Sequence, residues 1–233
     1  MIRRTVLVLN TRVFHPVVMT SVAGPAKRPY DSTRRRALAA DNRAAVIEAA
    51  SRLFADRGWS GTSMRDIARA AGVSVETVYA TSGSKGQLLL HTIDVGVVGD
   101  DEPVPLADRP AFVALGDGER AARLRTAVDL LATQYARIAR LLRTLAQAAA
   151  GDAEMAVHLH ESRARQRRSF QDGLRLVLGA EPAPELVDGL RAIASPEVYI
   201  RLVEEAGWSP EQYRAWLADV VLKLLAAPPE ETA

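Results

Sequence analysis

Two short amphipathic segments, separated by residues 72–74, constrain the fold of this chain more than any other feature. The first segment starts at Ser63, and Asp66 stands three residues later, which is the S-x-x-D pattern of a capped helix amino terminus. The separating tripeptide Gly-Val-Ser can form a turn, and Ser74 can cap the second segment, residues 75–81. Two helices of about two turns joined by a glycine-containing turn are typical of a helix-turn-helix.

Helical spacing also dominates the rest of the chain. One apolar strip, whose members are alternately four and three positions apart, consists of Leu124, Val128, Leu131, Tyr135, Ile138, Leu142 and Leu145. The other segments with helical spacing are residues 41–57, a segment that begins at Lys85, residues 152–178, a region near 185–206 and a region near 210–225. The sequence has no alternating strand pattern of useful length after Asn10, so we predict an all-α fold.

Charge is distributed unevenly along the chain, although the formal net charge is only +2. Residues 1–86 contain 14 Lys or Arg against 6 Asp or Glu, a net charge of +8, whereas residues 87–233 contain 16 against 22, a net charge of −6. A basic part of this kind favours a polyanion as its partner. We therefore predict a flexible basic arm (1–40), a helix-turn-helix domain (41–86), a larger helical domain (87–227) and a tail (228–233).

The composition and the motifs exclude several classes of protein. The sequence contains no cysteine, which rules out disulfides and thiolate nucleophiles and fits a cytoplasmic location. Residues 13–26 lack charge but are interrupted by His, Pro and Gly and are shorter than the ~20 apolar residues of a membrane span. The sequence also lacks a glycine-rich phosphate loop and a nucleophile elbow, so we do not expect an enzyme. His158 and His160 would point about 200° apart on a helix, so we do not expect them to form a metal site. We expect no cofactor either.

Six short motifs follow one another between residues 43 and 93. They are the AA-x-x-LF of the first helix, Gly58-Trp59, Thr62-Ser63, the DIA-x-x-AGVS turn, Thr77-Val78-Tyr79 and Ser84-Lys85. In this order and without a gap they resemble the DNA-binding domain of the TetR (tetracycline-repressor) family of bacterial regulators. Residues 195–199 and 208–213 also look like the carboxy-terminal segment of many members. At Ser82 the family usually has an aromatic or large aliphatic residue, so we expect a looser joint at the end of the second helix of the motif.

This second helix, the recognition helix, is predicted to face a major groove of DNA with Val78 packed inward. The residues that we predict to contact DNA from this helix and its cap are Ser74, Val75, Glu76, Thr77, Tyr79, Ala80 and Thr81. Glu76 can accept a hydrogen bond from a cytosine amino group, and the Tyr79 hydroxyl can reach a phosphate, as the resemblance also implies. Val75 and Ala80 either meet thymine methyl groups or only fill the helix.

Residues at helix starts and in the basic arm are further candidates for DNA contacts. Those at helix starts, where side chains and backbone amides can hold phosphates, are Thr62, Ser63 and Lys85. In the arm, Arg34, Arg35 and Arg36 either order along the DNA backbone or in an adjacent minor groove, or form a solvated charge run. Met19 precedes this basic stretch and is an alternative start of translation.

The predicted helix 152–178 carries an apolar stripe that polar residues interrupt. One interpretation is a ligand cavity between this helix and the helix of the 4-3 strip. Its predicted lining residues are Tyr135, Met155, Leu159, Ser162, Gln166 and Phe170. The alternative is a helix middle that is partly exposed to solvent, since four arginines occur between positions 163 and 168.

The last predicted helix is apolar over a wider face than one core requires. The residues that we assign to a two-fold dimer interface are Trp216, Leu217, Val220, Val221 and Leu224. The alternative is that these side chains are buried within a single subunit.

The family resemblance implies a homodimeric transcriptional regulator, which we expect to be a repressor. In such a dimer two recognition helices lie about 34 Å apart and bind successive major grooves of a palindromic operator. A small-molecule effector that binds better to a different conformation would release the protein from DNA. The alternative is a DNA-binding regulator without a small ligand, controlled by a protein partner or by its own concentration.

Overall fold

The computed structural model describes residues 32–226 of the chain. The described part consists of helices and turns without a strand, which confirms the predicted all-α class. The helices are α1 (Ser32–Arg57), α2 (Met64–Ala71), α3 (Val75–Ser82), α4 (Lys85–Val98), α5 (Pro110–Val113), α6 (Arg120–Ala149), α7 (Ala153–Leu178), α8 (Pro184–Ile193), α9 (Pro196–Tyr199) and α10 (Pro210–Ala226). Within the described range, no helix combines the length and the apolarity needed to cross a membrane.

Helix α1 begins at Ser32, before the Asp41 start that the apolar spacing predicts. Residues 36–41 are exposed, so they form helix without contributing to a core. Alanine, leucine and arginine dominate this stretch and are strong helix formers, whereas our prediction relied on apolar spacing alone. The rest of the predicted flexible arm, residues 1–31, lies outside the described residues.

The region near 185–206, predicted as continuously helical, is divided by a new helix start. Helix α8 ends at Ile193, and the Ser195 hydroxyl then accepts a hydrogen bond from the Val198 amide at 3.2 Å, which caps α9. Proline at the first position of α9 lacks the amide that the preceding helix would need. Helix α9 continues as a π-helix over Ile200–Glu205.

One apolar core joins the helix-turn-helix to the carboxy-terminal half of α6. Phe54, Ile67 and Val78 are buried in this core together with Leu141 and Leu145 of α6. A hydrogen bond of 2.8 Å from the Thr144 hydroxyl to the Phe54 carbonyl fixes the end of α1 to α6. Full burial of each large apolar side chain contributes about 1.5 to 3 kcal/mol, so the first three helices are held firmly against α6.

A second apolar core fills the space between the first half of α6 and the helices α7 to α10. Its fully buried members include Val187 of α8 and Tyr213 and Leu217 of α10. Helix α6 belongs to both cores, so it connects the helix-turn-helix to the carboxy-terminal helices.

Candidate nucleic-acid interface and cavity

The two helices of the helix-turn-helix are fixed by serine caps and one glycine. Ser63 accepts a hydrogen bond from the Asp66 amide at 3.1 Å, and Ser74 accepts one from the Thr77 amide at 3.1 Å. Gly72 ends α2 in the left-handed region with φ of 69°, which a residue with a side chain rarely adopts. The cap prediction from the sequence is confirmed at both helix starts.

Helix α3 presents a polar face outward, as the sequence predicts for a recognition helix. Val78 is completely buried, while Glu76, Tyr79 and Ala80 are exposed. The exposed fraction of Tyr79 is 52%. A half-exposed aromatic side chain beside a carboxylate, on a helix whose opposite face is anchored, can enter a groove without unfolding the core. Contact of these residues with DNA stays a prediction.

Two other predicted contact residues of α3, Val75 and Thr81, are partly used by the fold, as is the neighbouring Ser82. Val75 is half-buried against the core around Phe54, which favours its alternative role as a filler of the helix. Thr81 donates a hydrogen bond to the Thr77 carbonyl at 2.7 Å, and Ser82 donates one to the Val78 carbonyl at 2.8 Å. Ser82 therefore directs its hydroxyl to its own helix, where the family's large residue would pack on the first helix.

The side chain of Thr62 is not free to bind a phosphate. Its side chain is buried, and its hydroxyl lies within hydrogen-bond distance of the carbonyls of Leu53 (3.0 Å) and Gly58 (2.9 Å). The predicted phosphate contact through this hydroxyl is therefore wrong, because the group is used to close the turn after α1. The neighbouring Ser63 remains exposed at the start of α2.

Lys85 lies at the start of α4 against Trp59, a contact that sequence reasoning missed. Its Nζ atom is 4.0 Å from the centre of the Trp59 ring and donates a hydrogen bond to the Trp59 carbonyl. Partial burial lowers the pKa of Lys85 below its ordinary value. An ammonium has three donors, so Lys85 can hold Trp59 and still offer a donor to a phosphate.

The arginine cluster of the predicted arm is described only in part. Arg36 is exposed on the first turns of α1. The side chains of Arg34 and Arg35 lie outside the described part of the chain, so their proposed contacts stay a prediction.

A cavity of about 660 Å³ lies among α4, α6, α7, α8, α10 and the loop 100–106. Tyr135, Ser162, Gln166 and Phe170 line it, as the interrupted apolar stripe predicts. Ser162 is only 5% exposed, which argues against the alternative of a solvent-exposed helix middle. The volume falls within the ~300–1,000 Å³ range of small-molecule sites.

Two predicted cavity residues lie elsewhere. Met155 is buried in the core that joins the helix-turn-helix to α6, and Leu159 packs against the same core. The Met155 sulfur lies so close to Gly86 of α4 that a side-chain carbon at Gly86 would be only 2.7 Å away from it. The prediction is wrong for both residues because the first turns of α7 pack on the start of α4, while later turns line the cavity.

An ionic cluster joins α1 to the cavity loop, residues 100–106. No local pattern in the sequence indicated this cluster. Arg43 of α1 donates from Nη2 to Oδ1 of Asp101 at 3.2 Å, and its Nη2 lies 3.1 Å from Nε2 of His91 on α4. Asp100 next to it accepts two hydrogen bonds from Arg109, at 2.7 and 2.9 Å. The arginine partners hold the pKa values of both aspartates below the ordinary value.

The predicted dimer residues of α10 divide into two groups. Leu217 and Val221 are buried within the subunit's own second core, so assigning them to an interface is wrong. Trp216 and Val220 are half-buried, and Leu224 is 44% exposed. The outward apolar surface of α10 is therefore narrower than the sequence suggested.

The amino-terminal domain matches a known family. Residues 46–92 match the sequence model of the bacterial regulatory proteins of the TetR family. No curated protein sequence is a significant match.

Solved structures of low identity share the fold over most of the chain. A Rhodococcus sp. protein assigned to the TetR-family transcriptional regulators superposes with a TM-score of 0.62 at 17% identity, covering 80% of this chain and 100% of that one. A Mesorhizobium loti protein with the same assignment has a TM-score of 0.59 at 18% identity and coverages of 81% and 96%. NalD of Pseudomonas aeruginosa, the secondary repressor of the MexAB-OprM multidrug efflux pump, has a TM-score of 0.55 at 20% identity and coverages of 79% and 96%.

The exposed recognition helix, its serine caps and the all-helical body define a helix-turn-helix DNA-binding protein. The sequence match at residues 46–92 assigns this domain to a family, and the solved structures show that the fold is shared beyond it. Residues 46–92 form a DNA-binding domain of the TetR family of bacterial regulatory proteins, and the protein is a DNA-binding transcriptional regulator.

Proposed function

We propose that the protein is a cytoplasmic repressor that leaves a palindromic operator when a small molecule enters the cavity. The observation that supports this proposal most directly is that α4 packs on the helix-turn-helix and also lines the cavity. Leu88 and Leu89 at its start are fully buried in the core of the helix-turn-helix, while Asp94 and Val97 further along line the cavity. A ligand that displaces the second half of α4 must therefore also move the DNA-binding helices.

The energetic requirement is differential binding. A ligand shifts the protein between two conformations only if it binds one of them better. A coupling free energy of about 1 to 3 kcal/mol, typical of allosteric proteins, changes operator affinity by about 5- to 150-fold. The cavity, which has the volume of a small-molecule site, supports this ligand-responsive function over control by a protein partner or by concentration alone.

We propose further that two copies bind one operator. A single recognition helix contacts too few base pairs for tight and selective binding. A two-fold dimer places two such helices about 34 Å apart, on successive major grooves. The exposed apolar residues near the end of α10, Leu222 and Leu224, support a partner at this end of the molecule.

Selection of bound duplexes from random DNA tests the DNA-binding part of the proposal. We expect a palindromic consensus whose half-site centres are about one helical turn apart. Ala80→Glu, which adds a negative charge to the exposed face of α3, should abolish binding, whereas Ala192→Glu on the exposed surface of α8 should not. Failure to enrich any sequence would contradict operator recognition.

Thermal-shift measurements against a metabolite library test the effector part. Each compound that stabilises the protein is then added to the operator complex. We expect at least one of them to weaken operator binding. Compounds that bind the cavity without changing operator affinity would favour the regulator without a small-molecule effector.

A further inference from the structure

The wall of the cavity carries chemical information about its ligand. Most of it is apolar, with aromatic and aliphatic side chains from α5, α6, α7, α8 and α10. Its buried apolar members include Phe112, Leu124, Val128, Leu190, Leu217 and Val221. This surface favours a large apolar body.

The charged residues of the wall are paired or lie at its exposed rim. Asp100 is held by Arg109, and Asp101 is held by Arg43. Arg163 is exposed to solvent. Glu102 and Glu197 are also exposed, and the half-buried Arg191 lies 3.9 Å from Asp188, so the described lining contains no buried charge without a counter-charge.

Asp94 of α4 and Arg165 of α7 both line the cavity, and both are exposed. Partial desolvation of the Asp94 carboxyl raises its pKa, and this effect outweighs the opposite one of the nearby Arg165. These two rim residues attract ligand charges of opposite sign, so together they favour neither a cation nor an anion.

One buried polar group of the wall is open to a ligand. The Tyr135 hydroxyl donates to the Ala194 carbonyl at 2.7 Å, so it is already used. The Ser162 side chain is 5% exposed and lines the cavity. Gln166 follows one helical turn later on the same wall and is half-buried. A ligand gains a hydrogen bond to either side chain only if it carries a polar atom at this position.

We propose that the cavity binds an uncharged amphiphile, whose apolar body lies against α6, α8 and α10 and whose single hydroxyl, carbonyl or amide group is hydrogen-bonded by Ser162 and Gln166. This inference rests on the proposed function, since it names the class of effector for the same cavity. Unlike the proposed function, the inference predicts that the ligand is uncharged, so an experiment can refute one without refuting the other.

Competition against the uncharged fluorophore Nile red tests the charge of the ligand. The competitors are dodecanol, dodecanoate and dodecylamine, which share one chain and differ in the head group, each used below its micelle-forming concentration. We expect dodecanol to displace the dye at the lowest concentration. A stronger effect of dodecanoate would assign the head group to the rim arginines, and a stronger effect of dodecylamine would assign it to Asp94; either result overturns the proposal. Absence of displacement by all three also overturns it, while a library compound of another class that releases the operator would leave the proposed function standing.

Two variants test the hydrogen-bonding residues. Ser162→Ala should weaken dodecanol binding by about fivefold, the effect of one lost hydrogen bond, and leave Nile red binding unchanged. Gln166→Arg should make dodecanoate the better competitor, because it adds a cation beside Ser162. Ser51→Ala on α1, outside the cavity, is the matched control and should change nothing. Unchanged dodecanol binding in Ser162→Ala, with an unchanged order of competitors in Gln166→Arg, would overturn the assignment of these residues.

Discussion

Arg43 of α1 and Asp101 of the cavity loop form an ion pair across 58 positions of the sequence, with Nη2 of the arginine 3.2 Å from Oδ1 of the aspartate. The pair connects the helix that supports the helix-turn-helix directly to a wall of the cavity. Arg43 and Asp101 are therefore well placed to transmit cavity occupancy to the DNA-binding helices, in addition to α4.

Breaking this pair should reduce the response to a ligand. We expect Arg43→Ala and Asp101→Ala each to decrease the ligand-induced change in operator affinity by about threefold, within the range of a partly exposed ion pair. The double variant Arg43→Asp with Asp101→Arg exchanges the two charges and should restore part of the response to the ligand. Operator affinity is measured with and without a compound from the thermal-shift screen, and Arg175→Gln removes a comparable surface pair on α7 as a control. An unchanged response in both single variants would exclude this coupling.

Lys85→Ala should weaken binding to specific and to unrelated DNA alike, because phosphates carry no sequence information. Loss of one ionic contact should flatten the slope of log affinity against log salt concentration by about 0.9. Tyr79→Phe, which removes a neutral hydroxyl, should weaken binding and leave the slope unchanged. Since Lys85 also packs on Trp59, circular dichroism must show that the Lys85→Ala variant is folded. An unaltered slope in folded Lys85→Ala would remove this lysine from the interface.

Glu76 should contribute to selectivity, because its carboxylate is on the exposed face of α3 and can accept a hydrogen bond from a cytosine amino group. A backbone amide at the helix start and the Ser74 hydroxyl stabilise the carboxylate and lower the pKa of Glu76. We expect Glu76→Gln to change the preference at one position of each half-site by about tenfold. A scan of all single-base changes in the operator measures this, and a scan identical to that of the parent protein would show that Glu76 reads no base.

Val220→Arg combined with Leu224→Arg should give folded monomers, since these residues lie on the outward side of α10. Light scattering reports the mass in solution, and tight palindrome binding should be lost with the dimer. Leu217→Arg, in contrast, places a charge in the subunit's own core and should unfold the protein. If the double variant remains a folded dimer, the interface lies on another surface.

Tyr213 is buried, and its hydroxyl has no hydrogen-bond partner among the described residues. Burial raises the pKa of this hydroxyl above its ordinary value. Tyr213→Phe should leave the free energy of unfolding unchanged or raise it by about 1 kcal/mol, because it removes an unpaired polar group. Tyr135→Phe is the matched comparison and should lower it by about 1 kcal/mol, since the Ala194 carbonyl loses its donor. Urea unfolding measures both, and a clear loss of stability in Tyr213→Phe would indicate an additional partner of the hydroxyl.

The helix-turn-helix was predictable from the sequence because its determinants are local. Ser63 and Ser74 cap the helices that follow them, and Gly72 ends the first one, each within a few residues of the backbone group it serves. The inward position of Val78 follows from the same short-range helical periodicity. Such signals do not depend on what the rest of the chain does.

The cavity was predictable only in part, because one apolar stripe on α7 serves two cores. The polar interruption at Ser162 and Gln166 indicated a cavity correctly, but Met155 and Leu159 on the same stripe pack on the helix-turn-helix side. The same ambiguity affects α10, where Leu217 turns inward and Leu224 outward. Periodicity shows that a helix has an apolar face, but not which neighbour covers each turn of it.

The sequence by itself determined the helical class, the capped recognition helix and the basic character of the amino-terminal part, because propensity, capping and charge act over short distances in the chain. The tertiary structure decided how Arg43 meets Asp101 and which helices surround the cavity. These features arise from contacts between segments that are distant in the sequence, and their geometry is set only when α1, α4, α6 and α7 pack together.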